Sequence, residues 1–361
     1  MSARRGAWRV TRGLPRRRAR LARLPATAVA MVALPAAARA GTPMYYLKTF
    51  GAKGNVSVPL LWGLLGLSVF VILAVSILVV IGIARGRRVR AGPPGMILPV
   101  GRSSGAMPWI YGGLVASAVA LIGFASWTIA VMATIDQPGR PAAFTIEVTG
   151  QQWWWQARYV DPKNPSREFV TANELHIPVG KPVHIKLVSR DVIHSFWVPA
   201  LSGKTDVIPG QVNETWLEAD RKGVYRGQCA EYCGAQHAHM AFRVFADAPD
   251  DFAKWWNHEL QPAPQPAASA KLVALGEQQF VLRCGACHAV RGTSAGGDRG
   301  PDLTHLMDRT SIAAVTLPNT IGHLSGWIAD PQQNKPGAKM PNLDISGPEL
   351  TAIRTYLATL K

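Results

Sequence analysis

No acidic residue occurs before Asp136 in this chain of 361 residues. All 22 Asp and Glu lie from position 134 onward, where 22 Lys and Arg balance them. The formal net charge of +17 therefore belongs to the front of the chain. Residues 1–40 hold ten Arg, the stretch 84–106 holds five more, and Lys48 and Lys53 complete the excess. A nucleic-acid-binding domain carries its basic stripe on a folded unit. Here the part with folded-domain composition is neutral, which excludes nucleic acid as a partner. Cysteine is scarce as well: Cys229, Cys233, Cys284 and Cys287 form two close pairs. Bonds within such pairs would close tiny loops and remove little chain entropy. A disulfide-stapled scaffold is therefore disfavoured, and metal or haem chemistry suits the pairs better. No internal repeat is visible.

Long apolar runs, by contrast, are present. Residues 1–40 read as an export signal: an Arg-rich start, an apolar run from Leu21 to Leu34 interrupted by Arg23 and Pro25, and Ala38-Arg39-Ala40 as a cleavage site before Gly41. No residue is charged from Asn55 to Ala84, nor from Ser103 to Ile135. Each run exceeds the ~20 apolar residues that cross a bilayer, with spans expected at about 58–83 and 108–133 in a hairpin of residues 41–135. The connecting loop 84–106 carries Arg85, Arg87, Arg88, Arg90 and Arg102. Positive loops stay in the cytoplasm, so everything after the second span lies outside.

From Ala142 to about Ala248 the pattern turns to short alternating or β-branched runs separated by Pro and Gly, which predicts an antiparallel sandwich or barrel within residues 136–260. Residues 250–260 look helical. Residues 261–270, Gln-Pro-Ala-Pro-Gln-Pro-Ala-Ala-Ser-Ala, read as a Pro/Ala linker, and 271–361 as a compact, mostly helical unit.

The chemistry concentrates in Gly227-Gln-Cys-Ala-Glu-Tyr-Cys-Gly-Ala-Gln-His-Ala-His-Met240. Two thiols, imidazole and a thioether select copper over hard cations. A mononuclear blue-copper site needs one Cys; the second argues for a dinuclear centre. Zinc is the competing metal, but a thioether is a poor zinc ligand. A second imidazole must come from elsewhere, and His194 in Asp191-Val-Ile-His-Ser-Phe-Trp-Val-Pro199 is the best placed. His239 matches no ligand position, and His176 and His184 lie in β segments.

On Gly150-Gln-Gln-Trp-Trp-Trp155, His194-Ser-Phe-Trp-Val-Pro199, Lys204-Thr-Asp-Val-Ile-Pro-Gly210 and Cys229-Ala-Glu-Tyr-Cys233 with His237 and Met240, residues 142–260 resemble the copper domain of cytochrome c oxidase subunit II. The resemblance implies a cupredoxin sandwich and a copper A pair bridged by Cys229 and Cys233. His194 and Met240 would complete one copper, His237 and the Glu231 carbonyl the other. The Glu231 side chain would face a magnesium ion shared with subunit I. Trp153 matches the family's electron-entry aromatic, whereas Trp154 and Trp155 read as core or interface residues. Many relatives place an acid near the start of the second span, opening a proton path; Gly105–Tyr111 contains none, so that role does not carry over.

Arg283-Cys-Gly-Ala-Cys-His288 is a C-x-x-C-H haem attachment motif. Cys284 and Cys287 would add to the haem vinyl groups, with His288 as the proximal ligand. A thioredoxin-like C-x-x-C would want no following His. For the sixth ligand Met340, in Gly337-Ala-Lys-Met-Pro341, is favoured over Met307, His305 and His323. Residues 271–361 resemble class I cytochromes c, in which the Pro301 carbonyl of Gly300-Pro-Asp-Leu303 would orient the proximal imidazole. The expected architecture is thus a multi-domain membrane protein: a two-helix transmembrane hairpin, an all-β cupredoxin domain and an all-α cytochrome c domain. The implied role is electron entry to an oxidase of the bacterial inner membrane, with both redox domains periplasmic. Its partners would be subunits I and III, membrane lipid, and cytochrome c or another donor. The alternatives are the corresponding subunit of a nitric oxide reductase, and a membrane-tethered copper-delivery protein, which gives the haem no role.

Overall fold

The computed structural model describes residues 44–89, 107–161, 164, 166–267 and 269–361. The expected signal at 1–40 and all but the first residues of the connecting loop 84–106 lie outside them. Two long helices come first, α1 (Ala52–Val89) and α2 (Met107–Asp136). Both are apolar all round and leave large hydrophobic side chains exposed over most of their length, among them Phe70, Leu78, Leu114 and Leu121. A soluble helix hides one apolar stripe; helices with none to hide, and long enough to cross a bilayer, fit a lipid environment. The two touch near Gly63, where an added Cβ would come within 2.9 Å of the Trp127 ring. A backbone bond from the Phe50 N–H to the Ala200 carbonyl (2.8 Å) and a side-chain bond from the Trp216 indole N–H to the Ile135 carbonyl (3.0 Å) tie the hairpin to the domain that follows.

That domain is a sandwich of two five-stranded sheets. One has the order β3-β2-β1-β5-β8, from β1 (Thr145–Gln151), β2 (Trp154–Val160), β3 (Phe169–Ala172), β5 (Val183–Ser189) and β8 (Asn213–Leu217). The other runs β4-β10-β9-β6-β7, from β4 (Glu174–Pro178), β6 (His194–Trp197), β7 (Thr205–Val207), β9 (Gly223–Cys229) and β10 (Ala241–Asp247). The β5 sequence Val-His-Ile-Lys-Leu-Val-Ser buries every second residue, as period-two patterning demands. Trp155, Tyr159, Phe196 and Phe242 are fully buried between the sheets. Phe242 lies flat against Gly227, where a Cβ would meet the ring at 2.2 Å. Helix α3 (Pro249–Glu259) closes one end with Phe252, Trp255 and Trp256 against Phe144, Tyr159 and Phe169.

The C-terminal unit has its own core around Phe280, Leu324, Ile328, Ile353 and Tyr356. Its helices are α4 (Lys271–Arg283), α5 (Ile321–Ala329), α6 (Pro331–Asn334) and α7 (Gly347–Leu357), with a two-residue ladder of β11 (Ser311–Ile312) and β12 (Leu317–Pro318). Helices α4 and α7 cross at Gly276, where a Cβ would lie 2.1 Å from the Ala352 carbonyl oxygen. Ser346 and Glu349 form a capping box at the start of α7.

The segment before α4 is not a free tether. Ala263 is buried in the C-terminal core and its N–H donates to the Arg291 carbonyl at 2.9 Å. Polar contacts seam the two domains. The buried Glu174 carboxylate accepts from the Thr310 N–H (3.0 Å), the Thr310 hydroxyl (2.6 Å) and the Ser311 hydroxyl (2.8 Å). His258 pairs with Asp308 at 2.8 Å.

Candidate metal centre and haem cavity

Strand β9 ends at Cys229, the chain loops out through Tyr232, and β10 begins after Met240. The loop packs against His194, the first residue of β6, because β6 and β9 are neighbours in one sheet. This brings together every sequence-predicted copper ligand. The two sulfurs of Cys229 and Cys233 lie 3.8 Å apart. His194 Nδ1 is 3.8 Å from the Cys229 sulfur, and the Glu231 carbonyl oxygen 3.2 Å from it. His237 Nδ1 and the Met240 thioether sulfur lie 3.6 and 3.7 Å from the Cys233 sulfur. Cys229, Cys233, Met240 and His194 are all buried. Two sulfurs, two imidazoles, a thioether and a carbonyl converging in a largely buried pocket make a donor set suited to a pair of soft metal ions.

The electrostatics agree. The contact with Cys233 lowers the Cys229 thiol well below its ordinary value, while the same contact pushes Cys233 up. The pair thus holds one thiolate with its remaining proton on the other sulfur. Burial works against a charged His194, but hydrogen bonds to Asp191 and Cys229 prevail and raise its pKa. Asp191 Oδ1 sits 2.8 Å from His194 Nε2, which fixes the ring with Nδ1 toward the sulfurs. Asp191 went unrecognised in the sequence; its position three residues before His194 was the available signal. The Glu231 side chain is exposed. Of the remaining imidazoles, His176 pairs with Asp247 (2.7 Å), His184 with Glu214 (3.4 Å) and His239 with Gln236 (2.6 Å).

The second site is a cavity in the C-terminal unit, walled by Phe280, Leu303, Leu324, Trp327, Ile328 and Leu357 among others. Cys284, Cys287, His288 and Met340 all line it, whereas Met307, His305 and His323 do not. His288 follows directly after the turn at the end of α4, and its Nδ1 lies 2.8 Å from the Pro301 carbonyl oxygen, so it donates there and Nε2 stays free. Gly300 sits under the imidazole: an added Cβ would approach Cε1 to 2.5 Å. Burial lowers the His288 pKa, keeping the ring neutral as an iron ligand requires, and pushes the Cys284 thiol up to about 11. An apolar slot with two free thiols, a neutral imidazole and a thioether fits a covalently held haem.

Trp153 and Trp154 of the copper-type domain also line that cavity. Trp153 is only 7% exposed, and its indole N–H donates to the Cys233 carbonyl at 3.0 Å, so it touches both sites. Trp155 is a core residue, edge-on to His194.

A membrane-anchored redox protein with a sulfur–imidazole centre and a cytochrome-type domain is the class that this architecture defines. The chain is similar to cytochrome c oxidase subunit II, with a cytochrome c domain behind the copper-type domain. The model of the cytochrome c oxidase subunit II periplasmic domain matches residues 144–246, and that of cytochrome c matches 273–361. Cytochrome c oxidase subunit 2 of Alkalihalophilus pseudofirmus is 41% identical over 218 residues, 60% of this chain and 61% of that one. The Bacillus subtilis protein of the same name is 32% identical over 241 residues, 63% of this chain and 65% of its own. The chain therefore spans a little under two thirds of the length of these relatives. The crystal structure of the periplasmic domain of subunit II of cytochrome oxidase of Bradyrhizobium japonicum is 34% identical, covering 33% of this chain and 95% of that one with a TM-score of 0.31.

Proposed function

We propose that this chain is the electron-entry subunit of a haem-copper oxidase, taking electrons from a donor outside the membrane and passing them to subunit I, where oxygen is reduced to water. When bound, a covalent haem c and a dinuclear copper A centre supply the one-electron carriers for that relay. The observation that carries the proposal is the convergence of four further donor atoms on two cysteine sulfurs 3.8 Å apart, next to a haem-type cavity that shares Trp153 with them.

The protein's own part is positioning. Cys229 and Cys233, as thiolates, with His194, Met240, His237 and the Glu231 carbonyl would hold the copper pair. Buried aromatic side chains around the pocket exclude water, so little solvent reorganises as charge arrives. Asp191 keeps His194 in the orientation that offers Nδ1. In the cavity Cys284 and Cys287 would carry the thioether bonds, and His288, oriented by Pro301, and Met340 would hold the iron. The exposed Glu231 carboxylate is free to meet a magnesium ion at the boundary with subunit I. Subunit III and a cytochrome c or other periplasmic donor complete the partners, in a bacterial inner membrane with both redox domains on the outer side.

The purified full-length protein should show c-type haem bands together with a near-infrared copper band and a seven-line copper resonance. Cys233→Ser should abolish the copper signals and keep the haem. A four-line, single-copper resonance in the wild type would refute the dinuclear reading.

A further inference from the structure

The loop that carries Met340 is solvent-exposed along one side and rests with the other on the copper-type domain. Lys335, at the end of α6, is buried to 4% exposure although it bears an amine. Its Nζ donates to the Trp153 carbonyl at 2.7 Å and reaches toward the Ala313 carbonyl at 3.5 Å. One residue on, the Pro336 carbonyl accepts from Gln236 Nε2 at 2.7 Å, inside the loop between Cys233 and Met240. Lys339 Nζ stands over the Trp153 ring, 5.7 Å from its centroid. Three contacts within five residues thus join the methionine loop to Trp153 and to the metal-ligand loop. A buried amine costs free energy unless its donors are satisfied. Lys335 has taken that cost in order to reach a backbone carbonyl of the neighbouring domain.

We propose that Lys335 is a positioning residue that clamps the methionine loop of the cytochrome domain onto Trp153, holding the indole between the haem cavity and the copper pocket. The proposal rests on the electron-relay reading above. It makes Trp153 an internal relay, reached from the fused domain and covered against an outside partner. The two domains then work in one fixed arrangement, without a diffusive search on the Pro/Ala segment.

The test uses the full-length protein loaded with haem and copper. Electrons are delivered to the haem by pulse radiolysis, and their arrival is followed at the near-infrared copper band. Amide hydrogen exchange of residues 152–154 and 234–237 is measured alongside. Lys335→Met removes a donor to a buried carbonyl, a change that shifts a docking equilibrium about tenfold or more. The expected result is a haem-to-copper rate about tenfold slower, faster exchange in both segments, and unchanged reduction potentials. Global unfolding would not leave both potentials intact. A wild-type rate and wild-type exchange in a folded Lys335→Met protein would overturn the proposal. Should that variant not fold, the exposed Lys339→Ala decides: loss of the contact over the ring should slow transfer about threefold, and no change would overturn the clamp. A wild-type protein with no haem-to-copper transfer would instead sink the relay reading, leaving the clamp to be judged by exchange alone.

Discussion

Gly300→Ala puts the haem site under a load that can be worked out from coordinates. The new Cβ would lie 2.5, 2.8 and 2.9 Å from Cε1, Nδ1 and Nε2 of His288. Ordinary contact begins at 3.4 Å, so the imidazole must retreat by 3.4 − 2.5 = 0.9 Å or the loop must move. Either motion strains the 2.8 Å hydrogen bond from His288 Nδ1 to the Pro301 oxygen. Overpacking of this kind costs about 1–3 kcal/mol and loss of the hydrogen bond about 1 kcal/mol, together about 2–4 kcal/mol. A domain held by about 5–15 kcal/mol survives this, but its melting temperature falls by about 10 °C or more. The assay is thermal unfolding followed at the haem Soret band, with the copper near-infrared band as reference for the other domain. Gly296→Ala is the control from the same loop, because nothing lies within 4 Å of its Cβ position. Equal Soret melting temperatures for Gly300→Ala and wild type, within about 2 °C, would refute the reasoning.

Two further outcomes are expected. Glu259, at the end of α3, is pushed by burial from 4.5 up to about 7, against the pull of Arg309 and Arg291. A carboxyl with a raised folded-state pKa binds more proton folded than unfolded, so its contribution is full below about pH 4.5 and is lost as pH rises through about 7. Stability should fall by up to about 3 kcal/mol over that window, and Glu259→Gln should flatten the profile; an unchanged slope in calorimetric melts at stepped pH would exclude this group as the source. Met340→Leu should remove the thioether and lower the haem reduction potential, while Met307→Leu should leave the potential unchanged, since Met307 packs on the core away from the cavity. Redox titration separates the two, and the reverse pattern would reassign the axial ligand.

Much of the metal site is readable before folding because five of its six donors lie within twelve residues of one loop, where spacing alone constrains geometry. The haem motif is more local still, and Met340 stands out through its Pro-bounded loop. His194 needed the strand context and the family resemblance, since only the pairing of β6 with β9 brings it to Cys229. The helices that carry no charge over a bilayer's width are legible for a different reason: lipid tolerates no hidden polar face, so composition alone suffices. Lys335, Glu174 and Gly300 are of another kind. Lys335 reaches a partner 182 residues away and Glu174 one 136 away, and no periodicity encodes contacts between domains. Gly300 looks like ordinary turn punctuation until the imidazole is seen lying over it.

The same distinction explains why the Cys233–His237 loop has its composition. Gly234 adopts φ +111, a conformation that side chains resist, and a Cβ there would come 3.1 Å from both Gln152 Nε2 and the Trp153 ring. Both of those residues donate to the Cys233 carbonyl, at 2.8 and 3.0 Å. A side chain at 234 would therefore pry the indole from the ligand loop. From the Cys233 carbonyl through the indole N–H, along Trp153 to its own carbonyl, and on through Lys335 to the backbone that leads to Met340, each link is covalent or a hydrogen bond of 3.0 Å or less. Trp153 and Lys335 are both buried, so solvent does not intervene along it. A soluble donor could reproduce such a path only transiently, at the entropic cost of docking on each turnover. Covalent fusion removes most of that cost, and the buried lysine adds to the packed linker and the polar seam a contact at Trp153 itself.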